Sequence, residues 1–327
     1  MGESYATAGV DIDAGEEAVR RISPAVRSTF TESVLTDVGG FGAPFALDTS
    51  RFTQPVLVSS TDGVGTKLLV AEATGRYGTI GIDLVAMVVD DLVCQGAEPL
   101  FLLDYLAVGA LDPDVVEQIV NGIAEGCRQA RCALMGGEMA EHPGSMAPER
   151  IDVAGFAVGV VERDRLITGD QARPGDLLIG LPSPGLRSNG YSLARRVLLD
   201  VAGLPLDDLA DDLLLPSVIY APAVVDLLAE VDVRGVAHIT GGGIPGNLPR
   251  ALPDDVGYWL DRATWEVPAI FGLIQEHGQV SDDEMARVFN LGIGMVIVVT
   301  PADAERTIAA LAASGHAARA IGEVTKG

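Results

Sequence analysis

The sequence predicts a two-domain protein of the α/β (α+β) class, and three observations predict it. From Pro55 to Val161, short β-rich runs alternate with longer helical ones, each closed by glycine or proline. Between Glu162 and Pro174, polar residues, Gly169 and Pro174 interrupt the periodicity before DLLIGL opens a second series in the same style. At 327 residues, 48% of them apolar, the chain has material for two cores, which excludes a disordered or small stapled protein. The expected units are residues 1–165 and 166–327.

In the first unit PVLVSS reads as a strand, Thr79 to Gln95 as a helix stopped by Gly96, and PLFLLDYLAV as a strand carrying one odd aspartate. DPDVVEQIVNGIAEGCRQA opens on an Asp112 cap followed by Pro113, and CALM and IDVAGFAVGVV add strands. The second unit offers helices at Gly190 to Val201, Pro216 to Val231 and Pro268 to His277, with strands at GVAHIT, VGYWL, MVIVV and ARAIGEV. The first 50 residues, with the glycine-rich GGFGAP, read as an extended arm or mobile flap.

Composition narrows the function classes. The net charge of −24 repels phosphate backbones and the aromatics are too sparse for stacking platforms, which argues against nucleic acid. Anionic ligands must then be held locally, by backbone amides, a few placed Lys or Arg and divalent cations. Cys94, Cys127 and Cys132 lack paired CxxC spacing and sit in apolar or helical runs, so buried thiols in a reducing cytosol fit better than disulfides or zinc. Without a basic and apolar amino-terminal signal, or an apolar stretch of roughly 18 residues, a cytoplasmic protein with no membrane contact is expected.

Several segments could carry chemistry. SSTDGVGTK ends a β-run in Asp62, Gly63, Gly65, Thr66 and Lys67. Glycines let a backbone approach phosphate, Asp62 can hold a cation and Lys67 can neutralise a phosphate oxygen, although the GxxxxGK spacing is absent and a tight strand-to-helix turn explains the segment too. The helix GTIGIDLVAMVVDDLVCQG is nearly all apolar yet carries Asp83, Asp90 and Asp91. At about 100° per residue, Asp83 and Asp90 fall within about 20° of each other and Asp91 about 80° round. Mg2+ would satisfy such acids; so would a helix end reaching solvent. Asp104 in FLLDYLAV raises the same question.

In LMGGEMAEHPG, Gly136 and Gly137 precede Glu138, Glu141 and His142, a set able to bind metal or move protons, or simply to form a solvated loop. LPSPGLRSNGYSLARR starts a helix at Arg187, Ser188, Asn189 and Gly190, which suits a phosphate monoester or plain capping. HITGGGIPGN sets His238 before Gly241, Gly242 and Gly243. Asn290, Gly292 and Gly294 in RVFNLGIGMVIVV read as a glycine-loosened strand entry.

Taken in order, YATAGVDIDAG, GGFGAPFAL, SSTDGVGTK, GIDLVAMVVDDLVCQGAEPLFLLDYLAVG, GIAEGC, GGEMAEHPG, DVAGFAVGVVE, SNGYSLARR, HITGGG and FNLGIGM resemble the aminoimidazole ribonucleotide synthetases, the phosphoribosylformylglycinamidine cyclo-ligase family, along essentially the whole chain. The resemblance implies a homodimer whose amino-terminal domains pair through a barrel-like interface with ATP nearby. It implies ATP-dependent closure of formylglycinamidine ribonucleotide to aminoimidazole ribonucleotide. By the same analogy Asp62 and Asp91 hold Mg2+, with Asp90 and Glu138 next. Lys67 faces the ATP phosphates, the arm with Gly40 and Gly42 covers them, and Gly136 and Gly137 join the nucleotide site. The SNGYS and HITGGG turns face the ribonucleotide, with Arg187, His238 and Lys67 as the catalytic candidates.

Two departures stand out. Most relatives carry GGET where this chain has GGEM, placing Met139 where a hydroxyl could have bonded a ligand. They also carry His-Ser-Asn-Gly where this chain has Arg187 to Gly190; arginine keeps a phosphate donor but accepts no proton near neutral pH. These departures keep two alternatives in play, a diverged paralogue acting on a related amide and a non-catalytic nucleotide-binding subunit. The selenophosphate synthetase branch is disfavoured, because the amino-terminal arm has no cysteine to serve as nucleophile.

Overall fold

The computed structural model describes Tyr5 and residues 7–327; Ala6 of the YATAGVDIDAG motif lies outside the described residues. Helix α1 (Ile12–Arg27) opens the chain, capped by Asp11, whose side chain accepts from the Ala14 amide. Strand β1 (Pro55–Gly63), α2 (Leu68–Thr74), α3 (Ile80–Val93), β2 (Glu98–Val108), α4 (Pro113–Gln129), β3 (Ala133–Glu141) and β4 (Ile151–Glu162) follow. The second series runs β5 (Leu177–Pro182), α5 (Tyr191–Arg195, continued by a π-turn to Val201), α6 (Leu206–Leu213), α7 (Ala221–Leu228), β6 (Val233–His238) and α8 (Gly243–Asn247). It ends with β7 (Val256–Leu260), α9 (Ala269–Gly278), α10 (Asp282–Val288), β8 (Ile293–Val299), α11 (Ala304–Ala313) and β9 (Arg319–Lys326).

The first sheet has the order β1-β4-β2-β3. Only β2 and β3 run parallel, joined by the α4 crossover; the other pairs are antiparallel. Helix α3 lies on one face of this sheet, close enough that a Cβ on Gly155 would press on Leu84 and Val88. Against α4 it comes closer still. A Cβ on Gly81 would sit 2.1 Å from the Ile123 amide nitrogen, so the crossing requires glycine there. The opposite face of the sheet leaves Leu57, Tyr105 and Phe156 exposed.

The second sheet, β6-β8-β5-β9-β7, is wholly antiparallel. All seven residues of β8 are buried, because helices cover one face and the α8 region the other. That explains why MVIVV reads as a continuous apolar run rather than an alternating one.

Two expectations need correction. The amino-terminal stretch is not simply an arm, since α1 buries Ala18, Ser23 and Val26 against α4 and β3. The helix expected from Pro216 begins only at Ala221. Residues 215–220 are non-helical and form a strap across α3, described next.

Candidate active site

Three acids on α3 point in two directions, as their angular spacing dictates. Asp83 and Asp90 face the strap from the second domain. Asp83 Oδ1 accepts from the Ser217 amide (2.8 Å) and hydroxyl (2.6 Å). Asp90 Oδ1 accepts from the Tyr220 (2.9 Å) and Ala221 (3.0 Å) amides, two of the donors that the first turn of α7 leaves free. Lys67 Nζ donates to Leu215 O and Arg187 Nη1 to Val218 O of the strap, and Thr79 Oγ1 donates to Leu214 O just before it.

Lys67 and Asp90 therefore do not take the roles expected of them. Lys67 is fully buried, 2.6 Å from Asp83 Oδ2, and its remaining hydrogens go to the carbonyls of Leu215 (2.8 Å) and Arg187 (3.3 Å). Burial pushes its pKa down against the pull of Asp83, and no donor is left for a nucleotide phosphate. Asp90 is equally buried, 0% exposed with its second oxygen 2.8 Å from Arg187 Nη2, so neither oxygen is within reach of a cation from solvent. The guanidinium of Arg187 is shut in with it and does not present itself to a phosphate.

Asp91, turned away from the strap, meets the end of β1. Its Oδ1 lies 2.9 Å from His238 Nδ1 and its Oδ2 takes the Ser60 hydroxyl at 3.2 Å. Burial raises its pKa, but these hydrogen bonds outweigh burial and hold Asp91 below the usual carboxylate range. Asp62 is raised instead, first by its own burial and then by the neighbouring charge of Asp91, while the Gly63 amide (2.7 Å) and His238 oppose this. Asp91, bonded to Ser60 two residues before Asp62 on β1, is thus near enough for its charge to act on Asp62, at the strand end that runs into Gly63 and Gly65. His238 has both ring nitrogens engaged, Nε2 lying 3.0 Å from Arg187 Nη2, so it is not a free acid or base.

The two glycine turns of the second domain reach the same place. Thr66 Oγ1 and Ser192 Oγ are 3.0 Å apart, joining the DGVGT turn to the start of α5, which follows Ser188-Asn189-Gly190. Asn189 Oδ1 lies against Gly241, next to Gly242 and Gly243. Gly243 adopts φ +59° and packs so closely on α10 that a Cβ would lie 1.9 Å from Ala286 O.

Glu138 does not join this group. Strand β3 is at the far edge of the sheet from β1, and the register runs Asp62–Gly155–Asp104–Gly137, which sets Glu138 on the opposite face. Among the described residues no group of three or more His, Cys, Asp or Glu is placed to hold a metal ion. Glu138 instead lines a cavity of about 690 Å³ with Gly40, Gly42, Gly136, Gly137 and Met139, between α1, the GGFGA segment and strands β2 and β3. Glu141 and His142, read as metal or proton groups, are engaged: Glu141 accepts from the Asp11 and Leu111 amides, and His142 meets the Tyr105 hydroxyl.

Asp104 lines the same cavity, its carboxyl fitted against Gly137 so tightly that a Cβ there would lie 2.0 Å from Oδ1. Burial pushes its pKa up to about 7. A carboxyl whose folded pKa lies above its ordinary value stabilises the fold in acid, and that contribution is lost as pH rises towards 7. Asp104→Asn is therefore expected to raise stability at pH 8 by about 2 kcal/mol, a figure reduced for partial solvent access. The gain should vanish near pH 4, as urea midpoints at the two pH values would show.

Comparison with known proteins shows the family. Residues 48–161 match the AIR synthase related protein N-terminal domain, and residues 173–327 the C-terminal domain. A Myxococcus xanthus protein named phosphoribosylformylglycinamidine cyclo-ligase is 53% identical over 335 residues, covering 100% of this chain and 97% of its own. One of the same name from Trichlorobacter lovleyi is 52% identical over 329 residues, covering 98% and 94%. Among solved structures, thiamine-monophosphate kinase from Stenotrophomonas maltophilia superposes with a TM-score of 0.68 at 17% identity, over 95% of this chain and 94% of that one. Hydrogenase maturation protein HypE in complex with ATP gives 0.63 at 20%, over 94% and 84%. These two show a shared fold. With both domains matched and about half of all residues identical to whole-chain relatives, the chain belongs to the AIR synthase family, among the phosphoribosylformylglycinamidine cyclo-ligases.

Proposed function

We propose that the protein closes the imidazole ring of aminoimidazole ribonucleotide from formylglycinamidine ribonucleotide, using ATP and releasing ADP and phosphate, as a step of purine synthesis. The observation that carries this reading is Asp91, held by Ser60 of the strand that ends in Asp62 and Gly63 and by His238, which precedes the GGG turn of the second domain. An amide oxygen is a poor leaving group until phosphorylated. The formyl oxygen takes the terminal phosphoryl group of ATP, the amidine nitrogen attacks the activated carbon, and phosphate departs. Such a reaction needs positioning and charge clamps more than covalent catalysis.

Two adjacent carboxylates suit Mg2+, which binds through one or two protein carboxylates and completes its shell with phosphates and water. Burial first and the charge of Asp91 second raise Asp62, and a divalent cation would offset both. When bound, the ion neutralises charge on the transferring phosphoryl group. Thr66, Ser188, Asn189, Gly190 and Gly241 to Gly243 would orient the ribonucleotide, and the cavity beneath Gly40 and Gly42 would receive the nucleotide, with Gly136 and Gly137 at its floor.

Cavity and carboxylate pair lie at opposite edges of the first sheet, which supports a homodimer in which one subunit's cavity serves the other's carboxylates. The exposed Leu57, Tyr105 and Phe156 mark the pairing face, closed as a barrel-like interface. Leu57→Glu is expected to shift the protein from dimer to monomer in sedimentation and to abolish turnover. Three free thiols and the absence, among the described residues, of any helix able to cross a membrane support a cytoplasmic location.

The test is direct. Purified protein given ATP, Mg2+ and formylglycinamidine ribonucleotide should release ADP and form the aminoimidazole product in equal amounts. ATP turnover only with a different amide would instead indicate a paralogue's substrate, and nucleotide binding without turnover a silent subunit.

A further inference from the structure

We infer that Arg187 is a positioning residue: its guanidinium fixes His238 in the tautomer protonated at Nδ1, and that tautomer holds Asp91 in place beside Asp62. A guanidinium carries five N–H donors and no acceptor. Nη2 of Arg187 has two hydrogens and two partners, Asp90 Oδ2 at 2.8 Å and His238 Nε2 at 3.0 Å. Nε2 must therefore accept, so it bears no hydrogen. The ring's hydrogen sits on Nδ1 and is donated to Asp91 Oδ1 at 2.9 Å. The other tautomer would set N–H against N–H on one side and a lone pair against a carboxylate on the other.

Burial and the bonds of both terminal nitrogens hold Arg187 in this pose, although its Nε is left without a partner among the described residues. It is 1% exposed, Nη1 donates to Val218 O at 2.8 Å, and its Cζ lies 4.9 Å from the Tyr220 ring centroid. Asp90, which anchors it, is fixed by the Tyr220 and Ala221 amides. A chain of hydrogen bonds thus runs from the backbone of the second domain through Asp90, Arg187 and His238 to Asp91. At its end, Asp91 has one bond on each oxygen, from His238 and from Ser60. Each oxygen keeps a lone pair for a cation. A side chain able both to donate and to accept at position 187 would leave both tautomers of His238 open, and with them two orientations of the group that holds Asp91. His238, one bond removed from Asp91, orients it, and Arg187 acts one bond further out by orienting His238.

The functional half of the inference rests on the proposal that Asp62 and Asp91 hold Mg2+; the tautomer does not. Two measurements separate them. In protein labelled with 15N-histidine, without nucleotide or metal, long-range 1H–15N spectra should show His238 with a protonated Nδ1 and a bare Nε2. The chain has only four histidines, and a His238→Gln spectrum identifies the signals. A protonated Nε2, or a pair of averaged signals, overturns the assignment whatever the enzyme's substrate proves to be. The second measurement uses Asp90→Asn/Arg187→Met, which avoids stranding a buried aspartate, with circular dichroism to confirm the fold. Averaged His238 signals and a 10–100-fold weaker Mg2+-dependent binding of ADP, by calorimetry, are expected. Unchanged binding in a folded variant overturns the positioning role.

Discussion

Lys67→Met is expected to lower the stability of the protein by about 3–5 kcal/mol, the usual consequence of leaving one member of a buried ion pair without its partner. Asp83 and Lys67 are both 0% exposed. Methionine fills nearly the space of the lysine stem, so the loss reports charge rather than a cavity. Lys67→Met/Asp83→Asn should recover part of it, because asparagine still accepts from Ser217 while no lone charge is left buried. Urea unfolding of the two variants checks both statements. The affinity for ATP should be unchanged in the folded protein, since the ammonium is committed to Asp83, Leu215 and Arg187. A higher KM for ATP with an unaltered urea midpoint would return Lys67 to the phosphate site.

Asp91→Asn should do the opposite, leaving stability nearly intact and cutting kcat/KM by about 10²–10³-fold, the range typical of removing one group that stabilises transition-state charge. Asparagine can still accept from His238 through Oδ1, and its Nδ2 can donate to the Ser60 oxygen in place of the bond Asp91 accepts there, so both contacts survive and the charge is lost. The Asp91 side chain is 46% exposed, and the exchange should therefore move the melting temperature little. The Mg2+ concentration needed for half-maximal rate should rise. Full activity at low Mg2+ would remove Asp91 from the cation site, and Asp62 with it.

What the sequence made legible follows the reach of each signal. Strands such as IDVAGFAVGVV and MVIVV are local, apolar and bounded by turn residues, and β4 and β8 lie where those runs do. Helix α1 escaped notice because Gly15 and Pro24 both argue against a helix, although Val19, Ile22 and Val26 keep its periodicity. Helix α6 keeps an apolar face at Leu206, Leu209 and Leu213 but is only eight residues long, and α10 and α11 are short and acidic or alanine-rich. The acids of α3 were visible as an anomaly, and their angles separate Asp91 from Asp83 and Asp90. Their partners were not visible, because the strap arrives from about 130 residues away in the chain. Lys67 was misread for the same reason: a lysine after a glycine turn looks like a phosphate ligand until the carbonyl of Leu215 takes its hydrogen. The position of Glu138 depends on strand order, which no local pattern encodes.

The strap also bears on how the chain can be cut and recombined. Its backbone supplies the donors that Asp83 and Asp90 require, while Lys67 serves one of its carbonyls in return and Thr79 the carbonyl just before it. Neither half is a freestanding module: expressed alone, the first would carry orphaned acids on its principal helix. A hybrid with a relative's second half would succeed only where the graft brings a segment of matching length and path, so the two halves can be exchanged only as a matched set.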